Sequence, residues 1–362
     1  MHERPLRAIA GGLAIVWTTT LPAAEVVDGP LGRKLDRHMS AQAEKGFCGV
    51  LLVERRGKIV LSKGYGYAWI KNKVPFTSET VFDIGSITKQ FTAAAIMRLE
   101  VDGKLSTDDT LTKFFDNVPP DKQDLTLHHL LTHTSGLEGE VEGDYKVFSR
   151  DETLRDVFAM KVVAPPGERF SYSNGGYSVL GAVVEIASGK PYESYLHETF
   201  WQPAGMHHTG YRLPDWSKVV MARGVLNYGI DWGSPIDKPW AEDGPSWNLR
   251  ANGGVLSTAE DMYRWHRALL GDAILSEAAK AKMFTPYAMV SQQRKLKYGY
   301  GWFLTNTDRG TRLIRHDGSN TIFFAALRRF VDEDTVIILA SSDSRHPGDE
   351  HLAELTGMVF ED

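Results

Sequence analysis

One cysteine, Cys48, in 362 residues rules out an internal disulfide and any zinc site built on thiolates. It sits in the apolar run FCGVLLVE, which reads as a buried strand, so its part is that of a small core residue. No basic block occurs and the net charge is -5, which removes nucleic acid as a partner, because neutralising phosphates takes clustered Lys and Arg. Long hydrophobic runs are also missing. The apolar stretch from Ala8 to Trp17 is too short and too interrupted for a comfortable membrane span. Arg4 and Arg7 precede it and small residues follow, so residues 1–24 read as a secretory signal peptide cut near Ala23 or Ala24, with a weak anchor or a disordered terminus as the other reading. A periplasmic or secreted protein with no stable membrane span would remain. There is no internal repeat, no low-complexity tract, no H-E-x-x-H and no G-x-S-x-G; GYSVLG around Ser178 has its second glycine one place late.

What is present is a globular composition, 42% apolar and 24% charged, long enough for one large domain or two ordinary ones. Residues 31–45 suit a helix. Two β-rich runs then flank Arg56-Gly57, a hairpin signal. The stretch TKQFTAAAIMRLEVDGKL suits a buried helix stopped by Gly103, and GGYSVLGAVVEIASGKP suits a second one. Residues 211–247 are irregular and hold Trp216, Trp232, Trp240 and Trp247, the composition of a lid, a pocket wall or a packed loop. STAEDMYRWHRALLG reads as a helix capped by Ser257 or Thr258. The chain ends in YGYGWFL, TRLIRHDG, FFAALRRF and TVIILASS, all strand-like, and a helix over 349–359. The expected fold class is therefore α+β: an antiparallel sheet built from both chain ends and flanked by helices, with an inserted mainly helical lobe. Residues 31–110 and 241–362 would form the α/β lobe and 111–240 the helical lobe, with a pocket at their junction.

Three short motifs carry chemistry. In FDIGSITKQF, Ser86 and Lys89 are three apart, on neighbouring parts of one helix face. The positive end of the helix favours an alkoxide on Ser86 and a neutral amine on Lys89, and burial lowers a lysine further, so Lys89 can act as a base. Read alone, the motif is also that of a capping serine and a surface lysine. Tyr172-Ser173-Asn174 precedes the second apolar helix. A phenol between two cationic groups loses its proton below the usual ~10, whereas a turn tyrosine merely packs, here on Pro166. His316-Asp317-Gly318 lies between two terminal strands, unlike the other H-x-G sequences at His208 and His346.

Together and in this order, the motifs resemble those of the penicillin-recognising serine hydrolase family, which includes class C β-lactamases, DD-peptidases, D-aminopeptidases and esterases. LLTHTSGL, PPGERFSYSN, WQPAGMHHT, ANGGVLSTAEDM and YGYGW are similar to family stretches as well, so the resemblance runs from about residue 31 to the end. It implies a β-lactamase/DD-peptidase-like fold and a serine hydrolase acting through an acyl-enzyme on Ser86. Lys89 would be its base, alone or shared with Tyr172. Tyr172 would pass the proton to the leaving group, and His316 would tune Tyr172. Asn174 would orient Lys89 and the substrate, and the Ser86 and Ser319 amides, the latter beside Gly318, would form the oxyanion hole. No metal or organic cofactor enters this scheme; the partner is a small-molecule or short-peptide substrate, and oligomeric state is left open.

Many family members carry K-T-G at the third motif and grip a substrate carboxylate with it. Here a mostly neutral imidazole and an aspartate replace that cation, which points to small esters or uncharged amides rather than β-lactams or D-Ala-D-Ala peptides. DD-carboxypeptidase or class C-type β-lactamase activity is the alternative, and a non-catalytic penicillin-binding sensor is the rival from another class. His128, His129 and His133 raise a metal-hydrolase reading, which lacks a matching acidic ligand.

Overall fold

The computed structural model describes residues 25–138, 143–226, 229–239 and 243–361. The signal-peptide reading of residues 1–24 and the placement of Trp240 lie outside these. No helix among the described residues is long and apolar enough to cross a membrane.

A nine-stranded antiparallel sheet forms the centre. Its strands are β1 (Val26–Val27), β2 (Gly49–Arg55), β3 (Lys58–Tyr65), β4 (Ala288–Ser291), β5 (Leu296–Tyr298), β6 (Phe303–Asn306), β7 (Arg312–Ser319), β8 (Phe324–Phe330) and β9 (Thr335–Ser341), in the order β1-β3-β2-β9-β8-β7-β6-β5-β4. The two ends of the chain meet where β2 pairs with β9, from Gly49 opposite Ser341 to Arg55 opposite Thr335. Arg56 and Gly57 both take left-handed backbone (φ 53° and 74°), the turn whose twist matches the β2–β3 hairpin.

VLLV in β2 and VIIL in β9 are apolar without alternation because both faces of the sheet are covered. On one face lie α1 (Gly29–Glu44) and the C-terminal helix Asp349–Phe360, which bury Leu35, Met39, Leu352 and Leu355 against Leu51, Val53, Ile337 and Leu339. On the other, a single buried cluster runs from Val50, Leu52 and Ile338 through α2 (Thr88–Val101) into α3 (Asn174–Ser188). Every residue of α2 from Thr88 to Met97 is buried, the polar Thr88, Lys89, Gln90 and Thr92 among them. It starts from a 3-10 turn, Gly85–Ile87, and stops before Gly103 (φ 69°). The Ser173 hydroxyl accepts from the Gly176 amide to cap α3, and Gly189 ends it in left-handed backbone. Thr258 caps the later helix α4 (Ala259–Ala268).

The tryptophans of 211–247 do not form one surface. Trp216 donates to the Tyr211 carbonyl, and Trp247 packs on the Arg250 guanidinium, 4.8 Å away. Among the described tryptophans of this stretch, Trp232 reaches the loop after β7, 5.9 Å from the Phe323 ring and 5.1 Å from Tyr145.

Candidate active site

Ser86 lies in the 3-10 turn and Lys89 in the first turn of α2, so the i, i+3 spacing is kept although Ser86 precedes the α-helix. The turn is anchored from below: the buried Asp83 carboxylate accepts from the Gly85 amide at 2.7 Å. Gly85 is left-handed (φ 50°), and a Cβ there would lie 2.8 Å from the Ser319 amide nitrogen. A Cβ on Gly318 would meet the Ile84 carbonyl at 2.0 Å and the Ser86 nitrogen at 2.8 Å. The missing side chains let β7 and the start of α2 approach until the Ser86 and Ser319 amides border the same space.

Lys89 is fully buried, and its Nζ lies 3.0 Å from Ser86 Oγ, 2.8 Å from Asn174 Oδ1 and 2.8 Å from the Asn252 carbonyl. Burial holds its amine well below the ordinary lysine value. A neutral amine has two N–H groups and one lone pair. The two carbonyl oxygens can only accept, so they take both N–H groups. The lone pair is left for the Ser86 hydroxyl, which donates to it.

Tyr172 lies beside them, with the Lys89 Nζ 4.7 Å from its ring centroid. The residue is 38% exposed, yet protein crowded around its hydroxyl raises the phenol, and Ser86 pulls it partly back. The expectation of a phenol with a lowered pKa is therefore corrected. It assumed two cationic neighbours, and burial drives both toward neutrality: Lys89 as above, and His316 to about 3.

His316 also differs from expectation. Its ring centroid is 6.4 Å from that of Tyr172, but both nitrogens are engaged. Nδ1 donates to the Asp317 carbonyl at 2.7 Å, so Nε2 accepts from the Tyr298 hydroxyl at 3.0 Å. Neither nitrogen is left for Tyr172. Asp317 points to the opposite face of β7, where it pairs with Arg315 and lies 3.8 Å from Arg328. The anticipated repulsion of a substrate anion by Asp317 therefore has no geometric basis.

Several site residues escape a reading of the motifs. The Asn252 carbonyl comes from ANGG, held by a left-handed Ala251 (φ 70°). His133 is fully buried and left-handed (φ 57°); its Nδ1 accepts from the Ser173 amide at 3.0 Å and its ring lies 4.1 Å from that of Tyr172. His128 turns instead to the Tyr300 hydroxyl and His129 to Thr126, so the three histidines face different partners. Asp83 also accepts from Asn320 Nδ2 at 2.9 Å, and Asn320 Nδ2 donates to the Tyr145 hydroxyl at 3.1 Å. Burial raises Asp83 to about 7. Family-like sequence around His133 and Asn252, and the Asp directly before Ile-Gly-Ser, were the available signals.

Ser86, the buried Lys89 and Tyr172, from the first two motifs, thus stand side by side in the fold. The family described as Beta-lactamase matches residues 34–357, and the chain belongs to it. This is a family of serine hydrolases. The chain is 34% identical to the putative penicillin-binding protein PbpX of Bacillus subtilis (strain 168) over 261 residues, which are 72% of this chain and 63% of that protein. It thus spans less than two thirds of that relative's length. The octameric penicillin-binding protein homologue from Pyrococcus abyssi superposes with a TM-score of 0.77 and 30% identity, covering 90% of this chain and 76% of that one. D-amino acid amidase from Ochrobactrum anthropi SV3 superposes at 0.75 with 25% identity, covering 91% and 98%. The fold is accordingly that of the β-lactamases and penicillin-binding proteins.

Proposed function

We propose that this protein hydrolyses small esters or amides through an acyl-enzyme on Ser86. The observation that carries the reading is the Lys89 amine, fully buried, with two carbonyls on its N–H groups and Ser86 at 3.0 Å. Lys89 accepts the Ser86 proton as Oγ attacks the substrate carbonyl. The developing oxyanion is met by the Ser86 and Ser319 amides, each such donor being worth about 10²–10³ in rate. The proton passes by way of Tyr172 to the leaving group, and the same groups run in reverse to activate water. Asn174 orients Lys89, while His316 positions Tyr298 rather than exchanging a proton with Tyr172.

The preference for an uncharged carbonyl side is supported by His316, held neutral by burial on the β7 face toward Ser86, with Arg315 and Arg328 turned to the other face. A second reading, a D-amino acid amide as substrate, is supported by the likeness to D-amino acid amidase from Ochrobactrum anthropi SV3.

Covalent labelling with a fluorophosphonate tests the nucleophile: native protein takes up one label and Ser86→Ala none. Labelling retained in Ser86→Ala overturns the assignment. Specificity constants for a short nitrophenyl ester, a D-amino acid amide and a chromogenic cephalosporin then test the substrate; a clear preference for the cephalosporin refutes the uncharged-substrate reading.

A further inference from the structure

The backbone carbonyls of Ala251, Asn252 and Gly253 are consecutive, and each accepts from a different buried side chain. Thr92 Oγ1 donates to the Ala251 carbonyl at 2.6 Å, Lys89 Nζ donates to the Asn252 carbonyl at 2.8 Å, and the Tyr211 hydroxyl donates to the Gly253 carbonyl at 3.0 Å. Thr92, Lys89 and Tyr211 are all fully buried. Thr92 lies three residues after Lys89 on α2, so one helix face grips two neighbouring peptide groups.

The direction of these bonds is fixed. A carbonyl can only accept, so the Thr92 proton is committed to Ala251, and Thr92 Oγ1 accepts in turn from the Tyr192 hydroxyl at 2.7 Å. Tyr211 commits its proton to Gly253 and accepts from the Ala251 amide at 3.4 Å. Ala251 is thus held at both its N–H and its C=O. Those holds oppose a tendency to move: Ala251 is left-handed (φ 70°), a conformation that alanine keeps only where its surroundings over-determine it. α3 presses from the other side, where a Cβ on Gly181 would lie 2.5 Å from that of Ala251. The Asn252 side chain is anchored separately, on Ser178 and the Asn248 carbonyl. That anchor fixes the place of the residue, whereas the bonds to its two neighbours fix the rotation of its peptide groups.

We propose, on the reading that Lys89 is the base of Ser86, that Thr92 and Tyr211 are positioning residues for that reaction: by holding the carbonyls of Ala251 and Gly253 they aim the Asn252 carbonyl at Lys89. A neutral amine with one N–H on Asn174 and the other on Asn252 has a single direction left for its lone pair, toward Ser86. When the Asn252 carbonyl swings away, the amine is free to turn about its Cε–Nζ bond, and the lone pair no longer faces the hydroxyl it must deprotonate.

Steady-state kinetics on p-nitrophenyl acetate test this, with active chains counted by fluorophosphonate uptake at completion and Lys89→Met measured in the same series. Thr92→Val keeps the shape of the side chain and removes the hydroxyl. Thr92→Ser keeps the hydroxyl and removes a methyl group. Tyr211→Phe releases the Gly253 carbonyl and decides the matter if Thr92→Val does not fold. In Thr92→Val and in Tyr211→Phe, kcat should fall about tenfold or more with KM within about twofold of native, and Thr92→Ser should lose about threefold at most. A loss of packing alone would rank the two threonine variants the other way. Native kcat in folded Thr92→Val or Tyr211→Phe, or Thr92→Ser slower than Thr92→Val, overturns the proposal and leaves Lys89 as the base so long as Lys89→Met is inactive. Native turnover in Lys89→Met overturns the reading of Lys89 and the proposal with it.

Discussion

Lys89 and Arg250 are buried cations in one neighbourhood: the Asn252 carbonyl that receives Lys89 belongs to a residue two places after Arg250. Their environments are opposites. Arg250 meets the Asp243 carboxylate through two bonds of 2.7 Å, so that, although burial works against its charge, Asp243 raises it above the ordinary value. Lys89 has a hydroxyl, an amide oxygen and a backbone carbonyl as its hydrogen-bond partners, and burial drives it down. A paired buried cation fixes the loop 243–252. One surrounded by neutral oxygens gives up its proton and becomes available as a base.

The sharpest way to break this contrast is Lys89→Met. Turnover should fall by about 10²–10⁴-fold, while stability at pH 7 should hold or rise, because an apolar chain replaces an amine that burial disfavours. The pH dependence follows with a definite sign. Between the lowered folded value and 10.5, the unfolded chain holds a proton on Lys89 that the folded chain lacks. Stability therefore falls as pH drops through that window. The gain in Lys89→Met should be greater at pH 7 than at pH 10, as chemical denaturation at the two values would measure. The kcat/KM of native enzyme should fall ~tenfold per pH unit below the same folded value. A flat acid limb would mean that Lys89 is not the base.

Asp243→Asn is the converse. It leaves Arg250 buried beside a neutral amide, and stability should fall by about 1.5–3 kcal/mol, the range for a hydrogen bond to a charged group. Turnover should change much less than in Lys89→Met, because the Asn252 carbonyl is also held through its own side chain, which donates to Ser178 at 2.8 Å and to the Asn248 carbonyl at 2.7 Å. A collapse of turnover with unchanged stability would reverse the roles assigned to the two cations.

Much of the fold was legible in the sequence because its signals are local: the Arg56-Gly57 turn, the apolar runs of β2 and β9, the cap at Ser257 or Thr258, which the structure places at Thr258. Ser86, Lys89, Tyr172 and Asn174, which the fold brings together, were legible as candidates for the same reason, as short motifs with fixed spacing. The Asn252 carbonyl was not, since it is a backbone atom 163 residues from Lys89, aimed by a left-handed alanine that no residue preference announces. His133 was considered for its helical spacing to His129, whereas its left-handed backbone carries it beneath Tyr172. Strand alternation puts His316 and Asp317 on opposite faces, but only the packing of β7 on Gly85 tells which face meets Ser86.

The smallest expected effect concerns a buried acid that is tied to the same turn but is not a base. Asp83 accepts from Gly85 with one oxygen and from Asn320 Nδ2 with the other. Asn320 Oδ1 is already used, accepting from the Phe323 amide at 2.9 Å and the Ile322 amide at 3.2 Å. In Asp83→Asn, one oxygen can still serve Gly85, but the new amide nitrogen then confronts Asn320 Nδ2, donor against donor. The loop that follows Ser319 at the end of β7 should loosen, and kcat should fall about tenfold, less than the 10²–10³ for an oxyanion donor that is removed, because the Ser319 amide is shifted and not lost. The exchanged pair Asp83→Asn with Asn320→Asp restores a donor facing an acceptor, and a carboxylate at 320 still accepts from Ile322 and Phe323. Tyr145 donates in turn to that carboxylate, so the link to Trp232 survives. Steady-state kinetics on the two single variants and the double variant should show kcat recovered in the double. If the double variant is as slow as the product of the two single losses, Asp83 and Asn320 act independently, and the turn before Ser86 is not positioned through this bond.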